Sequence, residues 1–129
     1  MAYTLKIERA DDELITLEEW ENVVKQTEGV RLSTHELHTT AVPKSGAVLS
    51  MNASPGDAEI YDDESQRWHF CFRMSNSAIE FNARVVYRAL DGDLSDPLWL
   101  VVRKLADQLN AIITGEEGEI YDENAKGHL

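Results

Sequence analysis

Alternation of apolar and polar residues predicts a strand at the start of the chain and another at residues 67–74. The apolar positions of YTLKIER are Tyr3, Leu5 and Ile7. Those of RWHFCFRM are Trp68, Phe70, Phe72 and Met74. A period of two is typical of a strand with one buried face. We therefore expect the aromatic row Trp68/Phe70/Phe72 in the core, and Cys71 on the opposite, less buried face.

Two segments have the spacing of amphipathic helices. In the first, Thr16 and Glu19 fit a capping box, and the apolar spacing predicts a helix over residues 17–27, with Gly29 as its stop. The second, SDPLWLVVRKLADQLNAIITG, offers Ser95 or Asp96 as N-cap and Pro97 in the first turn. Its apolar stripe is Leu98, Val102, Leu105, Leu109 and Ile112. We expect this helix to continue to Gly115.

The remaining pattern consists of short strands. One or two are expected in residues 30–42, and one each at 47–51, 58–62, 78–83 and 117–123. Residues 84–90 fit either a strand extension or a helical turn, and residues 124–129 are expected to be a frayed tail. Strands in succession imply an antiparallel meander. The prediction is a single α+β domain, residues 1–129, with a sheet of about five or six strands and two amphipathic helices packed on one face.

The net charge and its distribution along the chain indicate which kind of partner the surface attracts. The 129 residues carry a formal net charge of -12. Seven of the acids lie in residues 8–21, five in 57–64 and five in 116–123. A negative field repels nucleic acid and anionic membranes and attracts basic proteins. We therefore expect a basic protein partner, and neither nucleic acid nor membrane.

The single cysteine and the N-terminal sequence bear on location. Cys71 cannot form an internal disulfide, which fits a reducing compartment. No charged segment followed by an apolar one opens the chain, and no apolar run approaches 18 residues. The expected location is the cytoplasm.

Three groupings contain the residue types of catalytic or metal-binding sites. His69 and Arg73 flank Cys71 on one strand face, where they could stabilise a thiolate. His35 and His38 would share a face only on a helix, and the acids of DGDLSD lack the bidentate glutamate of a calcium loop. We expect no catalytic residue, metal or cofactor. The alternative is a small-molecule- or metal-binding module with weak chemistry around His69, Cys71 and Arg73.

Several segments together resemble a known group of proteins. They are the YTLKIER strand, the TLEEW helix start, the aromatic WHF strand and the closing KLADQLNAIITGEEGEIYDE. In these the chain resembles small acidic bacterial immunity proteins encoded beside polymorphic or secreted toxins. The resemblance implies a non-enzymatic protein that neutralises a cognate toxin by blocking its functional site.

Two acidic blocks that each contain a tyrosine are the expected contact surface. Acidic side chains can occupy the positions of substrate phosphates, while aromatic anchors supply affinity. The predicted partner-binding residues are Tyr61, Asp62, Asp63, Glu64, Glu116, Glu117, Glu119, Tyr121 and Asp122. A further alternative is a homodimeric assembly subunit that pairs through an exposed sheet edge.

Overall fold

A computed structural model describes residues 3–10, 13–33, 39–41, 48–50 and 55–129. The strands are β1 Thr4–Glu8, β2 Val30–Leu32, β3 Thr39–Ala41, β4 Val48–Ser50, β5 Ala58–Asp62, β6 Arg67–Ser75, β7 Ala78–Asn82, β8 Ile112–Thr114, β9 Ile120–Tyr121 and β10 Gly127–His128. The α-helices are α1 Leu17–Gln26, α2 Tyr87–Leu90 and α3 Pro97–Gln108, and a 3-10 helix spans Ala83–Val86.

Eight strands form one antiparallel sheet in the order β10-β9-β8-β1-β7-β6-β5-β2, and β3 and β4 form a separate hairpin. The α+β class is thus confirmed, but the strand number exceeds the predicted five or six. The strands that the pattern did not predict are β8 and β10, which have three and two residues. Strands this short do not contain enough residues to display a period of two.

Helix α1 begins where the sequence predicts. The Thr16 hydroxyl accepts a hydrogen bond from the backbone N–H of Glu19, and the Glu19 carboxylate accepts one from the backbone N–H of Thr16. Arg9 also donates to Glu19, which holds the pKa of this carboxyl at about 2. The helix buries Trp20, Val23 and Val24 against the sheet.

Helix α3 is shorter than predicted. Asp96 caps it by accepting from the Leu98 N–H, and Pro97 occupies the first turn, as the sequence indicates. The helix ends at Gln108, however, because Asn110 has a left-handed backbone with φ of 52°. Residues Ile112–Thr114, predicted as the last helical turn, instead form β8 beside β1. Their β-branched side chains favour the extended backbone.

The structure also settles the segment that the pattern left ambiguous. Residues 84–90 are helical, first in the 3-10 helix and then in α2. At the other end of the chain, Gly127 and His128 of the tail pair with Tyr121 and Ile120 as β10.

The helices α1 and α3 share one core with one face of the sheet. The core includes Leu5, Ile7, Phe72, Ile79 and Phe81 from the strands and Trp20, Val24, Trp99, Val102 and Leu105 from the helices. Trp20 packs edge-to-face on Phe72 at 5.5 Å between ring centroids. The opposite face of the sheet, which we call the outer face, carries Lys6, Glu80 and Arg73 in register across β1, β7 and β6.

Candidate partner-binding surface

A β-bulge in β6 places two aromatic side chains on the outer face. Ala58 pairs with Phe72 but Glu59 pairs with Phe70, so Cys71 is an extra residue in the ladder. Phe72 is fully buried, whereas Phe70 is 46% exposed and Trp68 is partly exposed. The predicted buried row Trp68/Phe70/Phe72 is therefore wrong, because one additional residue reverses the faces on its N-terminal side.

The same bulge explains why Cys71 is buried rather than on the less buried face. Its side chain lies in the core cluster, and burial raises the pKa of the thiol well above its ordinary value. A thiol in such an environment stays protonated and is a poor nucleophile. His69 lies within hydrogen-bond distance of Ser65, 2.9 Å from its hydroxyl oxygen.

Trp68 is the centre of an ordered group of outer-face side chains. Tyr61 packs edge-to-face on its ring at 5.5 Å between centroids. The Arg31 guanidinium lies over the same ring, 4.3 Å from its centroid. Arg31 also donates from Nε to Glu59 Oε1 at 2.7 Å, and Glu59 is only 7% exposed. A buried carboxylate thus orients an arginine that stacks on the tryptophan.

Phe70 and Arg73 extend this group toward the middle of the sheet. The Arg73 guanidinium lies 5.7 Å from the Phe70 ring centroid. We call the five residues Arg31, Tyr61, Trp68, Phe70 and Arg73 the aromatic–arginine patch. None of these five side chains belongs to the core cluster, and three neighbouring strands, β2, β5 and β6, carry them.

The acidic residues beside the patch, Asp62, Asp63 and Glu64, form the turn between β5 and β6. Asp62 accepts from the Glu64 N–H and the Ser65 hydroxyl, which shapes the turn. Asp63 and Glu64 both pair with Arg88 of α2. Part of the negative charge predicted for a partner is therefore balanced within the molecule.

Arg88 also reaches the fully buried carboxylate of Asp96. The distance from Arg88 Nη2 to Asp96 Oδ1 is 3.0 Å. This ion pair fixes α2 and the turn after β5 to the start of α3. The acids of DGDLSD act as caps, since Asp96 caps α3 and Asp93 accepts from the backbone and hydroxyl of Ser95.

The C-terminal acidic block is built into its own loop. Glu119 accepts from the Tyr3 hydroxyl at 2.5 Å, from the Tyr121 hydroxyl at 3.2 Å and from the Glu117 N–H. The Tyr3 hydrogen bond, more than the others, lowers the pKa of Glu119. Burial and then Glu119 raise the pKa of Tyr121 to about 12. Glu116 accepts from the backbone N–H of Thr4.

Asp122 organises the turn before β10. It accepts from the backbone N–H groups of Asn124 and Lys126, and it lies 2.7 Å from His128 Nε2. The contact with His128 is the main reason that the pKa of Asp122 is lowered. Glu117 remains exposed, and no described residue bonds to its carboxylate.

The two predicted acidic blocks follow β5 and β8, which are four strands apart in the sheet. Neighbouring strands in the sheet are antiparallel, so β5 and β8 run in the same direction. The register of Thr114 with Lys6, Glu80 and Arg73 puts the end of β8 level with the start of β5, so β5 continues beyond it. Four strand spacings separate them, or about 19 Å. The third acidic block, residues 8–21, begins at the opposite end of β1. The structure therefore brings Tyr61–Glu64 to the patch and leaves Glu116–Asp122 apart from it.

The sequence pattern predicts Tyr61 as a partner-binding residue but not the other members of the patch. A strict period of two assigns Trp68 and Phe70 to the core, and nothing in the residue types of RWHFCFRM marks Cys71 as the extra residue. The one trace of this arrangement is Glu59 of AEIYD, which is buried in the structure, because a buried carboxylate requires a cationic partner, here Arg31.

Two features are absent from the described part of the chain: a cluster of metal-ligand side chains and a membrane-spanning helix. No group of three or more His, Cys, Asp or Glu side chains there could hold a metal ion. No helix among the described residues has the length and apolar character needed to cross a membrane. His35 and His38 lie outside the described residues.

Comparison with known proteins gives no relative: no family model, curated protein or solved structure matches the chain.

Proposed function

We propose that the protein is a non-enzymatic acidic binding protein that neutralises a basic protein partner, in the manner of immunity proteins encoded beside toxins. The observation that carries this proposal is the aromatic–arginine patch on the outer face of the sheet. Its centre is a tryptophan held between a tyrosine and an arginine. The role of a toxin as the partner rests on the sequence resemblance.

The composition of the patch is that of a binding hot spot. Tryptophan, tyrosine and arginine dominate the residues whose truncation costs most binding energy in protein interfaces. Trp68 and Tyr61 offer rigid apolar area, and Arg31 is already oriented by Glu59. Ordered side chains lose little conformational entropy when a partner binds.

The negative net charge determines that the protein attracts basic partners. The net charge of -12 attracts a basic protein over distances comparable to the Debye length. Asp62, Asp63 and Glu64 border the patch, where they would form the polar rim of the interface. We therefore assign Tyr61–Glu64 to the contact surface, and Glu116, Glu117, Glu119, Tyr121 and Asp122 to the steering field at the far corner.

Binding to the basic product of a neighbouring toxin-like gene tests the proposal. The wild-type protein should form a 1:1 complex with it and restore growth when the two are co-expressed. Trp68→Ala should weaken the complex by about 30-fold, which corresponds to a hot-spot loss of about 2 kcal/mol. Calorimetry would measure the affinity.

Leu100→Ala is the matched control, because Leu100 is an exposed apolar residue of α3, which packs against the core-facing side of the sheet. It should leave both the affinity and the growth protection unchanged. Equal affinities for the wild-type and Trp68→Ala proteins would contradict the assignment of the patch, and no complex at all would contradict the proposed function.

A further inference from the structure

Part of strand β6 is paired on one side only. It pairs with β5 over residues 67–72, but its ladder with β7 covers only Arg73, Met74 and Ser75. Beyond Asn82 the chain leaves the sheet and enters the 3-10 helix. Among the described strands, none pairs with the β7 side of β6 between Arg67 and Phe70.

The backbone groups that face this open edge belong to Trp68 and Phe70. The Tyr61 N–H donates to the Gly29 oxygen at 2.8 Å, so the Tyr61 backbone faces β2. The backbone N–H and C=O groups of successive strand residues point to alternate sides, so those of Ile60 face β6. Those of its partner His69 therefore face β5. The N–H and C=O groups of Trp68 and Phe70 therefore point away from β5, where a further strand would bond to them.

A groove runs along this edge. It consists of two adjoining cavities of 230 and 330 Å³ that share Phe70 and Val85 as lining residues. The wall opposite β6 is formed by the 3-10 helix and α2. Phe70 and Tyr87, which line the groove, are 46% and 50% exposed. Apolar side chains on an added strand would find these rings.

The groove presents two cations that have no carboxylate partner among the described residues. Arg73 and Arg84 line it, and neither forms an ion pair with a described residue. Of the acids that line it, Asp62 holds its own turn and Glu64 pairs with Arg88. The remaining acid, Glu80, lies in register between Lys6 and Arg73. Arginine side chains favour a carboxylate partner.

We infer that the groove receives an extended acidic segment of the partner protein, which adds to β6 as a further strand. Its backbone bonds to Trp68 and Phe70, an apolar side chain packs on Phe70 and Tyr87, and a carboxylate pairs with Arg73 or Arg84. The inference rests on the proposed function and adds the recognition element: a partner that is basic overall inserts a locally acidic strand beside the aromatic–arginine patch.

Two capped synthetic heptapeptides test the groove without the partner. One is Thr-Val-Asp-Phe-Asp-Val-Thr, and the other has lysine in place of both aspartates. In two-dimensional amide NMR of the full chain, the acidic peptide should shift the Trp68 and Phe70 signals at millimolar concentration. The lysine peptide, and the acidic peptide with the Arg84→Glu variant, should bind at least about tenfold more weakly.

Three outcomes would overturn the inference: no shift at Trp68 and Phe70, shifts centred on β2 or β10, or equal binding of the two peptides. Because the peptides are tested in the absence of the partner, a failure here beside an intact Trp68-dependent complex rejects the groove and leaves the proposed function standing. Loss of the complex itself rejects both.

Hydrogen exchange of the isolated protein provides a second measurement. The Trp68 and Phe70 amides should exchange quickly, and the His69 amide, which faces β5, should exchange slowly. Slow exchange at all three would show that the edge is already covered. If light scattering then showed a dimer, the occupant would be a second copy of the chain, and the partner segment would be excluded.

Discussion

At the residue scale, some carboxylates accept hydrogen bonds that stabilise the fold, and others contribute only negative charge. The Glu119 carboxylate accepts hydrogen bonds from two tyrosine hydroxyls and a backbone N–H. The side chain of nearby Glu117 makes no bond to a described residue. Sequence shows the same residue type at both positions. Which acid is used internally depends on Tyr3, 116 residues earlier in the chain.

The stability contributed by Glu119 should depend on pH. Its folded-state pKa is lowered, chiefly by Tyr3, so the ionised form stabilises the fold above its unfolded pKa, and this contribution is lost as the pH falls through the folded value. Glu119→Gln should lower the urea midpoint at pH 7, and the difference from wild type should shrink below about pH 4. Glu117→Gln serves as control. A difference of the same size at every pH would contradict this.

A second residue-scale prediction concerns the buried end of the Arg88 pair. Arg88→Met would leave the fully buried Asp96 carboxylate without its cation, at a cost of about 3 kcal/mol. In an Asp96→Asn background, which keeps the cap oxygen and removes the charge, the same change should cost clearly less. Urea denaturation of the four proteins gives the coupling. Additive losses would show that the pair is not coupled.

At the element scale, strong local signals were predictable and a one-residue irregularity was not. The Thr16–Glu19 capping box and Asp96-Pro97 mark the starts of α1 and α3 in the sequence itself. The C-terminal end of α3 and the short strands depend on contacts with distant segments, such as the pairing of β8 with β1. Because of the bulge at Cys71, Trp68 and Phe70 lie on the outer face instead of in the core. The one residue nearby that indicates this is the buried Glu59, opposite Phe70.

Two phenylalanines on either side of the bulge test it directly. Phe72→Ala should cost about 4 kcal/mol of unfolding free energy, because Phe72 is fully buried between Trp20 and Phe81. Phe70→Ala should cost less than about 1 kcal/mol, because Phe70 lies exposed on the outer face. Similar losses in the two variants, measured by chemical denaturation, would mean that both side chains are in the core.

At the scale of the whole molecule, charge and apolar area are separated in a way that suits recognition in two stages. Acidic residues at both ends of the sheet produce a long-range field, whereas the aromatic–arginine patch offers a small ordered contact area. A charged field mainly raises the rate of encounter, and desolvated aromatic anchors mainly slow dissociation. This division is consistent with a protein whose task is to hold another protein.

The three tryptophans allow the most direct measurement of the proposed interface. Trp20 and Trp99 are buried, while Trp68 is partly exposed on the outer face. In ¹⁹F NMR of the 5-fluorotryptophan-labelled protein, only the Trp68 signal should move when H₂O is replaced by D₂O, and it should lose that sensitivity in the complex with the neighbouring toxin-like protein. A Trp68 signal that stays equally sensitive to solvent in a saturated complex would contradict the assignment of the patch as the binding surface.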